Sequence, residues 1–180
     1  MKTLKDKVAI ITGCGQGVGK GIALALSKEG AKIIAAGRTF SKVKQTADEI
    51  ESTGGNAFAI ECDVTSLKDI QNTVSASLTQ YNRIDILVNN AQLVPLGNIL
   101  EVTDSAFESG WNSGPLAAHR FMKLCYPHLK STQGSVINLG TGAAIRPDPG
   151  GFGLYAAVKE AIRALTRAAA VEWGKDGIRV

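Results

Sequence analysis

A chain of 180 residues can bury one sizeable core, and a single domain over residues 1–180 is the expectation. With 44 % hydrophobic residues and no apolar run of about 18 residues, the composition is that of a globular protein without a membrane-spanning helix. The net charge is only +4, the basic residues are scattered and aromatic residues reach 6 %, which argues against a nucleic-acid surface.

The three cysteines, Cys14, Cys62 and Cys125, are far apart and form no Cys-x-x-Cys pair. They read as reduced thiols, with Cys14 a small filler in its loop, and suggest neither a disulfide framework nor a zinc site. His119 and His128 suit neither a metal pair nor a dyad, so no metal is expected. The N-terminus runs directly into an apolar strand without a secretory core, which makes the cytoplasm the default location.

The first strand spans residues 8–11 and breaks into a loop holding four glycines, Gly13, Gly15, Gly17 and Gly19. An alanine- and leucine-rich helix follows over 18–29 and stops at Gly30. The second strand, 32–36, ends in Gly37-Arg38-Thr39, and Ser41 is placed to cap a helix reaching residue 52. After Gly54-Gly55 the third strand, 57–62, leads into Asp63-Val64, and Ser66 caps a helix over 67–78. The fourth strand, 84–88, is apolar except for Asp85, as burial on both faces requires, and ends in Asn89-Asn90-Ala91. A loop over 92–102 precedes a helical segment, 104–124, that Gly114-Pro115 should kink or break. The fifth strand, 135–139, is followed by a glycine- and proline-rich loop over 140–151 and a long helix over 152–173. Residues 177–180 read as the opening of a sixth strand.

Strands alternating with helices predict an α/β fold, a doubly wound, Rossmann-like parallel sheet covered on both faces. Such sheets bind ligands at the carboxyl ends of their strands, where strand order reverses. The glycine loop, Arg38, Asp63, Asn89 and Thr141 all follow strand ends, so they should gather along one edge. At the first of them, unpartnered N–H groups and the helix dipole favour a phosphate.

Thr12-Gly13, Gly17 and Gly19 give the spacing T-G-x-x-x-G-x-G, and Asp63-Val64, Asn89-Asn90-Ala91 and Tyr155-x-x-x-Lys159 follow in order. On these motifs the chain resembles the short-chain dehydrogenase/reductase family over its whole length, in the short, single-domain branch. The resemblance implies a nicotinamide dinucleotide held by Gly13, Gly15, Gln16, Gly17, Val18 and Gly19, by Arg38, by Asp63 and Val64, by Asn89 and Ala91, and by Tyr155 and Lys159. It gives Tyr155 proton transfer with the substrate oxygen, and it gives Lys159 support of the phenolate and of the nicotinamide ribose.

The residue chemistry agrees. Four apart on a helix, Tyr155 and Lys159 share a face. A phenol is a poor base at neutral pH, and a nearby ammonium stabilises its ionised form. Tyr126 and Lys130 repeat the spacing, but Tyr126 precedes Pro127, which disfavours helical geometry there, and it lies before the fifth strand. An acidic residue after the second strand would bind both adenosine-ribose hydroxyls and select NAD. Arg38 stands there instead and can pair with a 2′-phosphate, which favours NADP(H) over NAD(H); the alternative is a solvated surface arginine. Asp63 can accept from the adenine amino group or cap the helix that follows, and the two roles are compatible.

Three departures from the family pattern stand out. Thr141 occupies the position of the serine that orients the substrate carbonyl, and its hydroxyl can donate the same hydrogen bond. Gly114 stands where the family has an asparagine, with Asn112 and Ser113 nearby, and Gln92 replaces the glycine usual after Asn-Asn-Ala, which should narrow the nicotinamide end. Relatives continue through further strands and a substrate-covering segment, so these 180 residues are expected to be part of a longer chain.

The expected function is hydride transfer between NADP(H) and a carbonyl or secondary alcohol. Leu93, Val94, Leu96, Ile145 and Phe152 suggest a small apolar substrate. The long helices resemble those that pair relatives into homodimers and homotetramers. A dinucleotide-binding sensor or scaffold subunit with little catalysis is the alternative.

Overall fold

The computed structural model describes residues 2–94, 96–146 and 150–180. Five strands, β1 (Val8–Thr12), β2 (Lys32–Gly37), β3 (Asn56–Glu61), β4 (Ile86–Asn89) and β5 (Ser135–Asn138), form one parallel sheet in the order β3-β2-β1-β4-β5. Strand order reverses between β1 and β4, as a doubly wound sheet requires.

Every residue of β1 is buried, and its side chains alternate between two cores. Val8 and Ile10 join one apolar cluster with Phe121, Met122 and Leu129, while Ala9 and Ile11 join another with Ala23, Val43 and Ile50. The helices sort accordingly. Residues of α1 (Gly17–Lys28) and α2 (Phe40–Ser52) cover one face, and those of α3 (Leu67–Tyr81), α5 (Ala117–Thr132) and α6 (Gly153–Trp173) cover the other. At the N-terminal edge of the sheet Asp85 is buried. Burial alone would push its carboxyl up, but bonds from Arg83, the Val8 N–H and Lys7 outweigh this and hold it below the usual carboxylate range.

Several local expectations change. Thr39, not Ser41, stands at the N-terminus of α2, and it makes no side-chain cap. Ser66 does cap α3, accepting from Asp69 N at 3.2 Å, and that helix runs to Tyr81. Gly114-Pro115 does not break the long helical segment. After α4 (Asp104–Trp111) the chain widens into a π-helical turn, Asn112–Leu116, and continues directly into α5. Proline removes one N–H from the ladder, and within the same turn the Ser113 hydroxyl donates to Ser109 O at 2.7 Å. The helix then passes through Pro127 to Thr132, so Tyr126 is helical, contrary to the expectation from its neighbour. Arg179 bridges Ser135 in parallel, with its carbonyl accepting from Val136 N at 2.8 Å, which continues the sheet beyond β5. Pro147 and Pro149 of the second long loop lie outside the described residues.

Candidate functional site

The loop after β1 is shaped by what its glycines touch. A Cβ on Gly13 would lie 2.8 Å from Asn90 Nδ2, and one on Gly15 2.8 Å from Lys42 Cβ. Gly17 differs: its φ of +54° is in the left-handed region, and a Cβ there would meet nothing within 4 Å. The loop is therefore packed tightly on its protein side and bare on the other. α1 begins there with no side-chain cap and no acidic residue in its first turn. Its first N–H groups and the positive end of its dipole are left for an anion. Gln16, at the cap position, uses its Oε1 to accept from Lys42 Nζ at 2.8 Å.

Thr12 and Asn90 tie this loop to β4. The Thr12 hydroxyl accepts from the backbone N–H groups of Asn90 and Ala91, both at 3.0 Å, and donates to Val88 O. Asn90 Nδ2 donates to Thr12 O at 2.8 Å.

A cleft of about 440 Å³ opens along the carboxyl ends of the strands. It brings together Gly13, Gly15, Gln16, Gly17, Val18, Gly19, Arg38, Asp63, Val64 and Ala91 from the sequence-predicted set. Asp63 Oδ1 accepts from the N–H and hydroxyl of Thr65 at 2.9 and 2.8 Å, which orients the carboxylate at the cleft wall. Cys14 sits in the loop fully buried, and burial pushes its thiol up to about 12, so it is packing rather than a nucleophile.

Other predicted residues lie outside this cleft. Asn89 Nδ2 donates to Asn138 Oδ1 at 2.8 Å, and Asn138 Nδ2 donates to Thr166 Oγ1 at 2.9 Å. This relay joins the ends of β4 and β5 to α6. Thr141 and Lys159 line a neighbouring hollow of about 250 Å³ with Asn138 and Thr166. Thr141 Oγ1 accepts from Ala143 N at 3.3 Å, capping a short 3₁₀ turn, and its hydroxyl hydrogen is left to donate elsewhere.

Tyr155 is half-buried on α6, with its ring 6.2 Å from that of Phe152 and 5.9 Å from Lys159 Nζ. Lys159 is 5 % exposed and donates to Leu139 O at the end of β5. Burial lowers its ammonium from the ordinary lysine range to about 8. The competing pair is resolved on other grounds than helix geometry. Tyr126 donates to Asp176 at 2.6 Å and Lys130 pairs with the same carboxylate at 2.9 Å, so both are engaged in tying α5 to the turn after α6.

Sequence reasoning left Asn90, Lys42 and Ser113 out of the expected site, although Asn90 stands in the Asn-Asn-Ala motif and Ser113 beside Gly114. Lys42 read as one of many scattered bases, and its signal was its position on the first turn of the helix after Arg38. Among the described residues no group of three or more His, Cys, Asp or Glu could hold a metal ion, and no helix is long and apolar enough to cross a membrane.

The family model described as short chain dehydrogenase matches residues 7–180. A 12alpha-hydroxysteroid dehydrogenase of Clostridium sp. is 42 % identical over all of this chain and 72 % of its own length. A hydroxynaphthalene reductase-like protein of Metarhizium acridum is 33 % identical over 99 % of this chain and 67 % of its own. Among solved structures, a 7 alpha-hydroxysteroid dehydrogenase complexed with NADH and 7-oxo glycochenodeoxycholic acid superposes with a TM-score of 0.93. It is 28 % identical, over 98 % of this chain and 69 % of that one.

Proposed function

The chain belongs to the short-chain dehydrogenase family, and on that premise we propose that it is an NADP(H)-dependent oxidoreductase interconverting a ketone and a secondary alcohol on an apolar ring skeleton. The observation that carries this reading is the pairing on α6: Lys159 Nζ is buried at the end of β5 and 5.9 Å from the Tyr155 ring.

The residues present fit a nicotinamide dinucleotide. The bare face of Gly17 and the uncapped start of α1 suit a pyrophosphate, and Asp63 suits the adenine amino group. Arg38, with Lys42 beside it at the cleft wall, suits a 2′-phosphate better than a pair of free hydroxyls. When bound, the nicotinamide supplies or accepts the hydride.

In the reducing direction Tyr155 donates its hydroxyl proton to the substrate oxygen. The Lys159 ammonium then stabilises the phenolate left behind. The Thr141 hydroxyl, whose oxygen already accepts from Ala143, donates its hydrogen to the same substrate oxygen and fixes its direction. In the oxidising direction the proton returns to Tyr155.

An apolar ring substrate is supported by the rim beside α6. Gly97 N donates to Gly151 O at 3.0 Å, and Ile99 packs against Gly153, two residues from Tyr155. Leu96, Ile99, Leu100 and Ile145 are exposed on this side. The hydroxysteroid dehydrogenase relatives support the same class of substrate. Exposed Phe107 and Trp111 on α4 and Val171 on α6 support association with further copies as a homodimer or homotetramer.

The test follows nicotinamide absorbance with NADPH and NADH against a panel of ketosteroids and small ketones, for wild type and Tyr155→Phe. The variant should lose about 100-fold or more in kcat and keep its NADPH affinity. Tight NADPH binding by wild type without turnover of any ketone would instead favour a dinucleotide-binding sensor or scaffold.

A further inference from the structure

Among the described residues, the carboxamide of Gln92 is the one buried side-chain group with polar atoms left unpartnered: neither Nε2 nor Oε1 has a hydrogen bond. A buried amide in this state has lost its water and gained nothing in return, so it calls for an account. Gln92 follows Asn89-Asn90-Ala91 at the end of β4, and its side chain rests on the bare backbone of Gly114 in the π-helical turn. A Cβ on Gly114 would sit 3.1 Å from Nε2 and 3.2 Å from Cδ. Two of the positions at which this chain departs from the family pattern, glutamine at 92 and glycine at 114, are thus one packing unit.

Gln92 also lines the cleft, with Leu93 and Ser113, across the glycine loop from Arg38 and Asp63. Strand order requires this, since β4 and β2 flank β1 on opposite sides. If Arg38 and Asp63 take the adenosine half, the end beside Gln92 takes the nicotinamide half. We infer that the Gln92 carboxamide is a binding group for the nicotinamide half of the dinucleotide, stowed on Gly114 and turned into the cleft by rotation about its terminal side-chain bonds. The nicotinamide carboxamide and its ribose hydroxyls offer both donors and acceptors, which is what an amide with every valence unmet requires. Rotation among staggered wells costs little beside the hydrogen bonds it recovers.

This inference rests on the dinucleotide reading above, and its test separates the two. Calorimetry measures the affinity of wild type and Gln92→Leu for NADPH and for adenosine 2′,5′-bisphosphate, which has no nicotinamide half. The leucine variant should bind NADPH about tenfold more weakly and the bisphosphate as tightly as wild type. Its melting temperature without nucleotide should equal or exceed that of wild type, because leucine fills the space with no unpaired amide. Unchanged NADPH affinity overturns the inference, as does equal weakening of both nucleotides. Wild type that binds neither nucleotide overturns the dinucleotide reading itself, and this inference with it.

Discussion

A Cβ on Gly19 would lie 2.4 Å from the carbonyl oxygen of Gly13 and 2.5 Å from Asn90 Nδ2. The first turn of α1 is therefore pressed against the loop that precedes it, with no room for any side chain. Gly19→Ala must push the loop away from β4 and is expected to cost about 1–3 kcal/mol of stability, the range for overpacking a filled site. Gly17→Ala meets open space, so its cost is the left-handed backbone alone, about 1–2 kcal/mol. The two should separate in a second measurement. The methyl of Gly17→Ala projects where a pyrophosphate would lie, so its NADPH affinity should fall further than its urea midpoint suggests. If both variants lose stability and affinity in proportion, the loop is a structural turn and not a phosphate cradle.

Arg38 and Lys42 are the cations of the cleft wall, and Lys42 is held by Gln16. A charge-assisted, bidentate contact with a 2′-phosphate implies a large, selective effect of Arg38→Ala. NADPH affinity should fall about 10- to 100-fold, while NADH affinity stays within about twofold of wild type. The NADPH preference of wild type should also shrink as salt is raised, because the cleft is open to solvent. Equal losses for the two nucleotides would identify Arg38 as a solvated surface residue.

The strands and the helix order were legible because burial on both faces imposes continuous apolar runs such as residues 8–11 and 86–88, and because Gly30 and Ser66 punctuate the helices. The glycine loop was legible because contacts of 2.4–2.8 Å leave no room for a side chain at Gly13, Gly15 and Gly19, and a left-handed backbone favours glycine at Gly17. What escaped was tertiary. Pro115 looked like a break, but a π-helical turn carries the helix through it. The rejection of Tyr126 rested on Pro127 and on its place before the fifth strand; the place holds, the helix passes through Pro127, and Asp176, far away in sequence, is what occupies that pair. Nothing local tells that Gln92 and Gly114 are neighbours, since they lie on different elements, the loop after β4 and the π-helical turn before α5, that meet only in the folded chain.

The hydrogen bonds Asn89 to Asn138 and Asn138 to Thr166 link two strand ends to the helix that carries Tyr155 and Lys159. Asn138→Leu deprives Asn89 of its acceptor and Thr166 of a donor, and is expected to lower stability by about 1–3 kcal/mol. Because the relay joins α6 to the strand ends but lies outside the cleft proposed for the dinucleotide, the proposed roles of Tyr155 and Lys159 require that kcat fall while NADPH affinity is kept. A variant that loses affinity and keeps turnover would show instead that the relay supports the cleft and not the catalytic pair.

Lys159 gives the clearest pH signature. Burial lowers its pKa from 10.5 to about 8. Between those two values the unfolded chain holds a proton that the folded chain has released, so the contribution of this group to stability rises with pH. It is complete above the unfolded value of about 10.5, is lost as the pH falls to about 8, and is flat below that. Lys159→Met removes the titration and keeps the packing. At neutral pH the methionine variant should therefore be the more stable, and its advantage over wild type should shrink steadily from pH 8 to pH 10. The buried thiols also favour a neutral form, with burial pushing Cys14 and Cys125 up to about 12 and Cys62 up to about 11. They cost stability as the pH rises past the ordinary thiol range, but they do so in both proteins and cancel from the difference. Urea midpoints of the two proteins, measured without nucleotide at half-unit steps, give that difference directly. A difference that does not change between pH 8 and pH 10 would mean that Lys159 ionises as an ordinary solvated lysine and is not buried beside Tyr155 in solution.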